Sequence, residues 1–411
     1  MNALIRCRFT RAGVGGVAGR RVWLLGLWLS IAGPTLAAAP FTPSNPDQVV
    51  EKLPLQAGDP QLRELQGLRR RLADRPDDLT LALHVARRNL EVGRAEADPR
   101  YYGYAQAALA PWWNQNPPPP DVLVLRAALR QNRHDFEAAL ADLRQALAIQ
   151  PRHFQAWLYQ AVIHQVRGEP TEALKSCLGL RRSSNTLLFN TCISGALGRG
   201  GQAETAYTAL RRALEGEVEQ DAETRLWGLT VLAEIAEQRG DAPAAEQHFR
   251  AALDLNRRDI YLLGAYADFL LDQNRPAEAR ELVKDERRAD ALLLRLALAQ
   301  RRLNDPAWER QAELLEARFA AARQRGDDTH AAAEARLKLE LRQQPAEALA
   351  LAQRNWAQGQ REPQDARLLL ETALAARRPD AAREVLDWLA RVKLEDRRLT
   401  ELSRRLREGQ S

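Results

Sequence analysis

An all-α solenoid, a right-handed superhelix of antiparallel helix pairs, is the fold class this sequence predicts, and three observations carry it. Ala, Leu, Arg, Glu and Gln are abundant while Thr, Ile and aromatic residues are sparse, which favours helix wherever packing does not decide. Four stretches end one helical run and begin the next in the same way: Asn132 to Leu140, Arg167 to Leu174, Arg239 to Glu246 and Gln273 to Ala279. The repeating unit is about 34 residues, room for two helices that cannot bury both faces alone. A chain of 411 residues exceeds a usual single domain, but a repeat array reaches this length because each unit contacts only its neighbours.

Residues 1–37 read as a signal peptide. An arginine-containing segment ends at Arg20-Arg21, an apolar core runs from Val22 to Ala32, Gly33-Pro34 breaks it, and small residues follow, which places cleavage after Ala37 or Ala38. The apolar core suits the general secretory route better than the twin-arginine route. The alternative is an uncleaved membrane anchor over residues 22–39. The expected location is therefore exported and periplasmic.

The formal charge of +6 shrinks once this segment is set aside. It holds five arginines and no acid, leaving 55 basic against 54 acidic residues. The remaining arginines are scattered among acids and form no stripe, so no nucleic-acid partner is expected. Residues 38–60 carry Pro40, Pro43, Pro46, Pro54 and Pro60 among polar residues and read as an extended tether.

Helical periodicity begins near Gln61 and defines an N-terminal helical cap over 61–116. Asp77-Asp78 precede one amphipathic run, Gly93 to Pro99 read as a loop, and Tyr101 to Trp113 form a second run rich in aromatics. Tyr101, Tyr102, Tyr104, Trp112 and Trp113 pack as that cap or offer a partner surface. From Pro117 to Asp290 five regular units follow. Residues 291–411 continue as degenerate helical repeats, with prolines at helix starts, Gly326 and Gly359 at stops, and a charged last helix as a cap.

Cys177 and Cys192 bracket the polar turn Arg182 to Asn185 symmetrically. In an antiparallel hairpin they face each other, within disulfide reach in an oxidising compartment; the alternative is two small buried residues at a helix contact. No metal or cofactor site is expected, because no His or acid pair stands at ligand spacing nearby. The six histidines lie far apart, no glycine-rich phosphate loop occurs, and carboxylates alternate with arginines as on solvated faces. The chain is therefore read as not an enzyme, although a hydrolase or transferase with a site built between repeats is the rival class.

The unit pattern resembles tetratricopeptide repeat proteins. The first regular unit shows it as Leu123, Ala127, Asp135-Phe136, Ala139, Leu143, Ala146 and Pro151, and the fourth as Leu229, Ala233, Gly240-Asp241, Ala245, Phe249 and Ala252. The resemblance implies a concave groove lined by the first helix of each unit. Carried over by position, it selects Trp227, Thr230, Glu234, Glu237 and Gln238 in the fourth unit and Tyr261, Asp268 and Asp272 in the fifth. The lysine, asparagine and arginine clamp that some members use for a C-terminal carboxylate is missing. Aromatics beside acids suit an extended partner segment carrying apolar and basic side chains. The functional expectation is a protein-interaction scaffold of the bacterial cell envelope, or an accessory subunit of an envelope assembly or polymer- or lipid-export machine.

Overall fold

A computed structural model describes residue 45, residues 60–216 and residues 221–408, all within the unit Pro40–Ser411. The expected signal peptide, the anchor alternative and all of the tether except Asn45 and Pro60 lie outside the described residues.

Local backbone chemistry builds the helix pairs. Asp78, Asn185, Asp221, Asp241 and Asp259 each accept a hydrogen bond from a first-turn backbone N–H, and prolines open other helices where no N–H is needed. The helices are α1 Pro60–Asp74, α2 Leu79–Glu96, α3 Arg100–Ala108, α4 Ala110–Trp113, α5 Pro120–Asn132, α6 Phe136–Ile149, α7 Phe154–Val166 and α8 Pro170–Gly179. They continue as α9 Thr186–Arg199, α10 Ala203–Gly216, α11 Ala222–Gln238, α12 Ala242–Leu253, α13 Ile260–Asp272, α14 Pro276–Val283, α15 Asp290–Arg302 and α16 Ala307–Gln324. The last five are α17 Ala331–Arg336, α18 Pro345–Ala357, α19 Pro363–Ala375, α20 Arg383–Val392 and α21 Arg397–Glu408. No strand occurs among the described residues. The chain is an all-α solenoid of tetratricopeptide-like helix pairs.

One turn recurs between the two helices of a pair. His134, Gly168, Gly201, Gly240, Asn274 and Asn304 all have left-handed φ, from 56° to 79°. In each case the next residue's N–H reaches back five residues: Asp135 to Arg130 O, Glu169 to His164 O, Gln202 to Leu197 O, Asp241 to Ala236 O, Arg275 to Leu270 O and Asp305 to Gln300 O, at 2.8–3.1 Å. This bond satisfies a carbonyl left over at the helix end and reverses the chain in three residues. Small residues then let the paired helices approach: Ala127, Ala139, Ala161, Ala173, Ala206, Ala233, Ala245, Ala267 and Ala279 are fully buried, with Leu143, Leu210 and Phe249 filling the spaces between pairs.

One local expectation changes. Helix α2 runs through Gly93 to Glu96 instead of ending there; a Cβ on Gly93 would sit 2.7 Å from the Tyr102 ring, so this glycine serves close packing and not a turn. The helix from Ala331 widens into a π turn over Leu337–Leu341. In the aromatic cluster, Tyr101 and Trp112 are buried in the N-terminal core, whereas Tyr104 stays exposed beneath the Arg69 guanidinium.

The later helices fold back onto the earlier ones. Arg361 N–H donates to Val166 O at 2.8 Å, Trp388 Nε1–H to Gly168 O at 2.9 Å, and Ala203 N–H to Glu395 Oε2 at 3.0 Å. A Cβ on Gly201 would lie 2.4 Å from Lys393 O. The turns at Gly168, Gly201 and Gly240 thus form an edge of bare backbone against which Arg361, Trp388, Lys393 and Arg397 lie.

Cys177 of α8 and Cys192 of α9 form a disulfide with Cα atoms 5.6 Å apart, joining one helix pair to the next. Mass spectrometry with and without reductant should show a difference of about 2 Da, the two hydrogens that the bond displaces. Reduction should cost about 2–4 kcal/mol of stability in denaturant titration. Gly201→Ala should cost about 1–3 kcal/mol, because it combines positive φ with a clash against backbone. Gly67→Ala, in open space within α1, should gain a few tenths to about 1 kcal/mol.

Candidate functional site

Closure of the fold leaves a half-open chamber of about 950 Å³. Its walls come from α2, α3, α9, α11, α13, α15, α19 and α21, so the N-terminal cap and the last helices meet the middle units around it. The Arg258 guanidinium donates to Ala95 O, and Arg288 pairs with Glu96 at 2.6 Å. These side chains join the end of α2 to the entrances of α13 and α15.

Five of the eight groove residues expected from the repeat register come together here: Glu234, Glu237, Gln238, Tyr261 and Asp268 all line the chamber. Asp272 sits just beyond, bonded to Arg367 at 2.5 Å and to Arg398 at 2.7 Å. The remaining two point elsewhere. Trp227 packs against the cluster around the Cys177–Cys192 disulfide, and the buried Thr230 hydroxyl donates to Leu226 O within its own helix at 2.8 Å.

Residues far away in sequence complete the walls. Arg367 and Arg398 arrive from α19 and α21, Arg88, Arg94 and Tyr102 from the N-terminal helices. Arg398 bridges Glu237 at 2.6 Å and Asp272. Asp268 receives Arg295 and Arg336, each at 2.6 Å. Arg199 pairs with Glu362 at 3.1 Å. No pattern along the chain announces these partners, which are joined only by how the superhelix closes.

Desolvation governs the electrostatics. Burial pushes the Glu237 carboxyl up to about 7, with Arg398 pulling against it and Asp272 and Glu234 adding to the rise. Burial likewise raises Glu234, opposed by the Arg199 charge and by the Tyr261 phenol, which donates to it. The Tyr261 phenol is held well above its ordinary value by burial and by Glu234. About 48% of Tyr261 is exposed where it lines the half-open chamber. At Asp268 burial also opposes ionisation, yet Arg295 and Arg336 together outweigh it and hold the carboxyl at about 2.

The polar side chains on the walls are those of Arg, Glu, Asp, Gln and Tyr. No Ser, Thr, Cys, His or Lys lines the chamber among the described residues, and the carboxyl nearest neutrality, Glu237, is held by Arg398. Six of the seven lining arginines already engage an acid: Arg88, Arg199, Arg258, Arg295, Arg367 and Arg398. A polyanion would have to break those pairs. No group of three or more His, Cys, Asp or Glu among the described residues is arranged to hold a metal ion, and no helix among them is long and apolar enough to cross a membrane.

No protein-family model matches the sequence, and no curated protein matches it. Solved structures that are similar include the Pseudomonas aeruginosa PilF protein, at 21% identity over 50% of this chain and 94% of that one, TM-score 0.37. Another is the APC/C hetero-tetramer Cut9-Hcn1, at 13% identity over 80% of this chain, which spans 63% of that one, TM-score 0.48. A third is a tetratricopeptide repeat protein from Parabacteroides merdae, at 16% identity over 62% of this chain and 98% of that one, TM-score 0.37.

The raised Glu237 carboxyl has a signed consequence for stability. The folded chain keeps a proton there that the unfolded chain releases near pH 4.5, so folding loses stability as pH rises from about 4.5 to about 7 and is level above. Glu237→Gln removes this slope. The variant should match the native protein at pH 5 and exceed it by about 1–2 kcal/mol at pH 8 in denaturant titrations.

Proposed function

We propose that this chain is a non-enzymatic protein-interaction scaffold exported to the cell envelope, holding a segment of a partner protein in the chamber. The observation that carries this reading is an unfilled space of about 950 Å³ in a chain that otherwise packs its helices closely. Into that space it turns a half-open tyrosine and two carboxyls whose ionisation burial opposes. Solenoids present their inner helix row to extended guests, and a cavity of mixed charged and apolar walls with an aromatic anchor suits such a guest. Export is supported by the leader-like residues 1–37 and by the Cys177–Cys192 disulfide, a bond that persists in oxidising compartments. Service to an envelope assembly or to a polymer- or lipid-export machine is a narrower form of the same role.

Crosslinking and pull-down from envelope extracts test it. The native protein should recover a specific partner, and the combined Glu234→Gln and Tyr261→Ala variant should recover at least about tenfold less. Equal recovery by the variant would exclude the chamber as the binding site. Cell fractionation tests export, which fails if the protein stays in the cytoplasm at its full mass.

A further inference from the structure

We propose that the C-terminal lobe, α18 to α21, is a lid that swings away from the middle of the array about the helix from Ala331 to Leu341, and so opens and shuts the chamber. The lid is defined by the packing of this chain alone; only its use in admitting a guest rests on the scaffold reading.

Two cores meet at one helix. The apolar side chains of the lobe pack into a core of their own, drawn entirely from residues between Ala332 and Leu406 and including Trp356, Leu369, Val385, Trp388 and Leu399. The helices before it have a separate core that runs from Leu187 to Leu341. The helix from Ala331 to Leu341 belongs to both, giving Ala333, Leu337 and Leu341 to the earlier core and Ala332 and Ala335 to the later one. It is also where regular geometry fails: a π turn spans Leu337–Leu341, and Gln343 follows with a left-handed φ of 56°. Irregular turns at the end of an element are where a chain absorbs a change of angle.

The seam between the lobe and the middle units is of another kind. No buried apolar cluster crosses it among the described residues. What crosses is polar: Arg361 N–H to Val166 O, Trp388 Nε1–H to Gly168 O, Ala203 N–H to Glu395, and the ion pairs Arg199–Glu362, Arg367–Asp272, Arg398–Glu237 and Arg398–Asp272. Such groups gain little net from meeting, because water serves them nearly as well once they part. The fit is also incomplete. Arg361 Nε and Arg398 Nε are buried without an acceptor. Half-open spaces of about 530 and 510 Å³ lie along the seam, the first between α13 and the helices α19 and α21, the second between the Gly168 turn and α20.

Behind the seam stands the chamber, to which the lobe gives Pro363, Gln364, Arg367, Asp396, Arg398 and Leu399. Moving the lobe as one body keeps its apolar core intact, releases the polar bonds to water and takes that wall away.

Hydrogen exchange on the full chain, read at single amides, tests the lid. The amides of Arg361 and Ala203 have no partner within a helix, and each is held by a bond across the seam, so their protection measures how often the lobe leaves. Arg398→Gln removes a charge that bonds to neither amide. Both amides should lose protection together, by at least about tenfold, the worth of a charged hydrogen bond. Amides inside α13 and α20, such as those of Leu270 and Leu389, should keep theirs. Glu395→Ala, at an exposed position, removes one bond of the seam. It should lower protection of the Arg361 amide, which is bonded elsewhere, by about threefold or more. Unchanged protection at Arg361 in either variant, loss at one amide without the other in Arg398→Gln, or loss shared equally by the helix interiors would overturn the lid. If the amides respond as stated and pull-down recovers no partner, the lid stands and the scaffold fails; if a partner is recovered while the amides do not respond, the lid fails and the scaffold stands.

Discussion

The left-handed turn between paired helices is the constraint on which the rest depends. A residue with positive φ and a hydrogen bond five residues back close each helix and start the next in a fixed direction. Repeated at His134, Gly168, Gly201, Gly240, Asn274 and Asn304, this geometry sets how each pair stacks on the last. Where the turn residue is glycine, it also leaves the turn without bulk. At Gly168, Gly201 and Gly240 a Cβ would strike Trp388, Lys393 and Arg397, so the residues that permit the turn also permit the later helices to lie against it.

Around the chamber, arginines and carboxylates stand among apolar side chains. Removing such charges from water is expensive, and a buried pair contributes little net stability unless its geometry is good. Here the pairs are short, and several are shared: Arg398 joins Glu237 to Asp272, and Asp268 joins Arg295 to Arg336. Such pairs penalise alternative closures, because any shift strands a desolvated charge. They fix the shape of the chamber more than they strengthen the fold.

The features legible in sequence were the local ones. Gly168-Glu169 and Gly240-Asp241 betray their turns because backbone strain and capping act over a few residues. The two cysteines could be paired because one short turn relates them. Gly93 misled because its reason is a ring nine residues away that packs onto the helix. The repeat register placed Glu234, Glu237, Gln238, Tyr261 and Asp268 on one surface, since they share the inner helix row. It placed Trp227 and Thr230 there too, but α11 buries residues around most of its circumference, and those two face its neighbours and its own backbone. Arg367 and Arg398 were invisible as site residues, because their meeting with Asp272 depends on the accumulated pitch of every intervening unit.

Closure also changes what kind of object the array is. An open solenoid is modular: it can gain or lose a unit, and its ends can fray independently, because each unit answers only to its neighbours. Here the stretch from Gln360 to Arg398 is bonded to His134, Val166, Gly168, Ala203 and Glu237, so the ends of the array answer to its middle. Duplicating or deleting one unit between them would move every partner by a full helix pair. The length of the array is thereby locked, and the ordinary route by which repeat proteins lengthen and diversify is shut for this one.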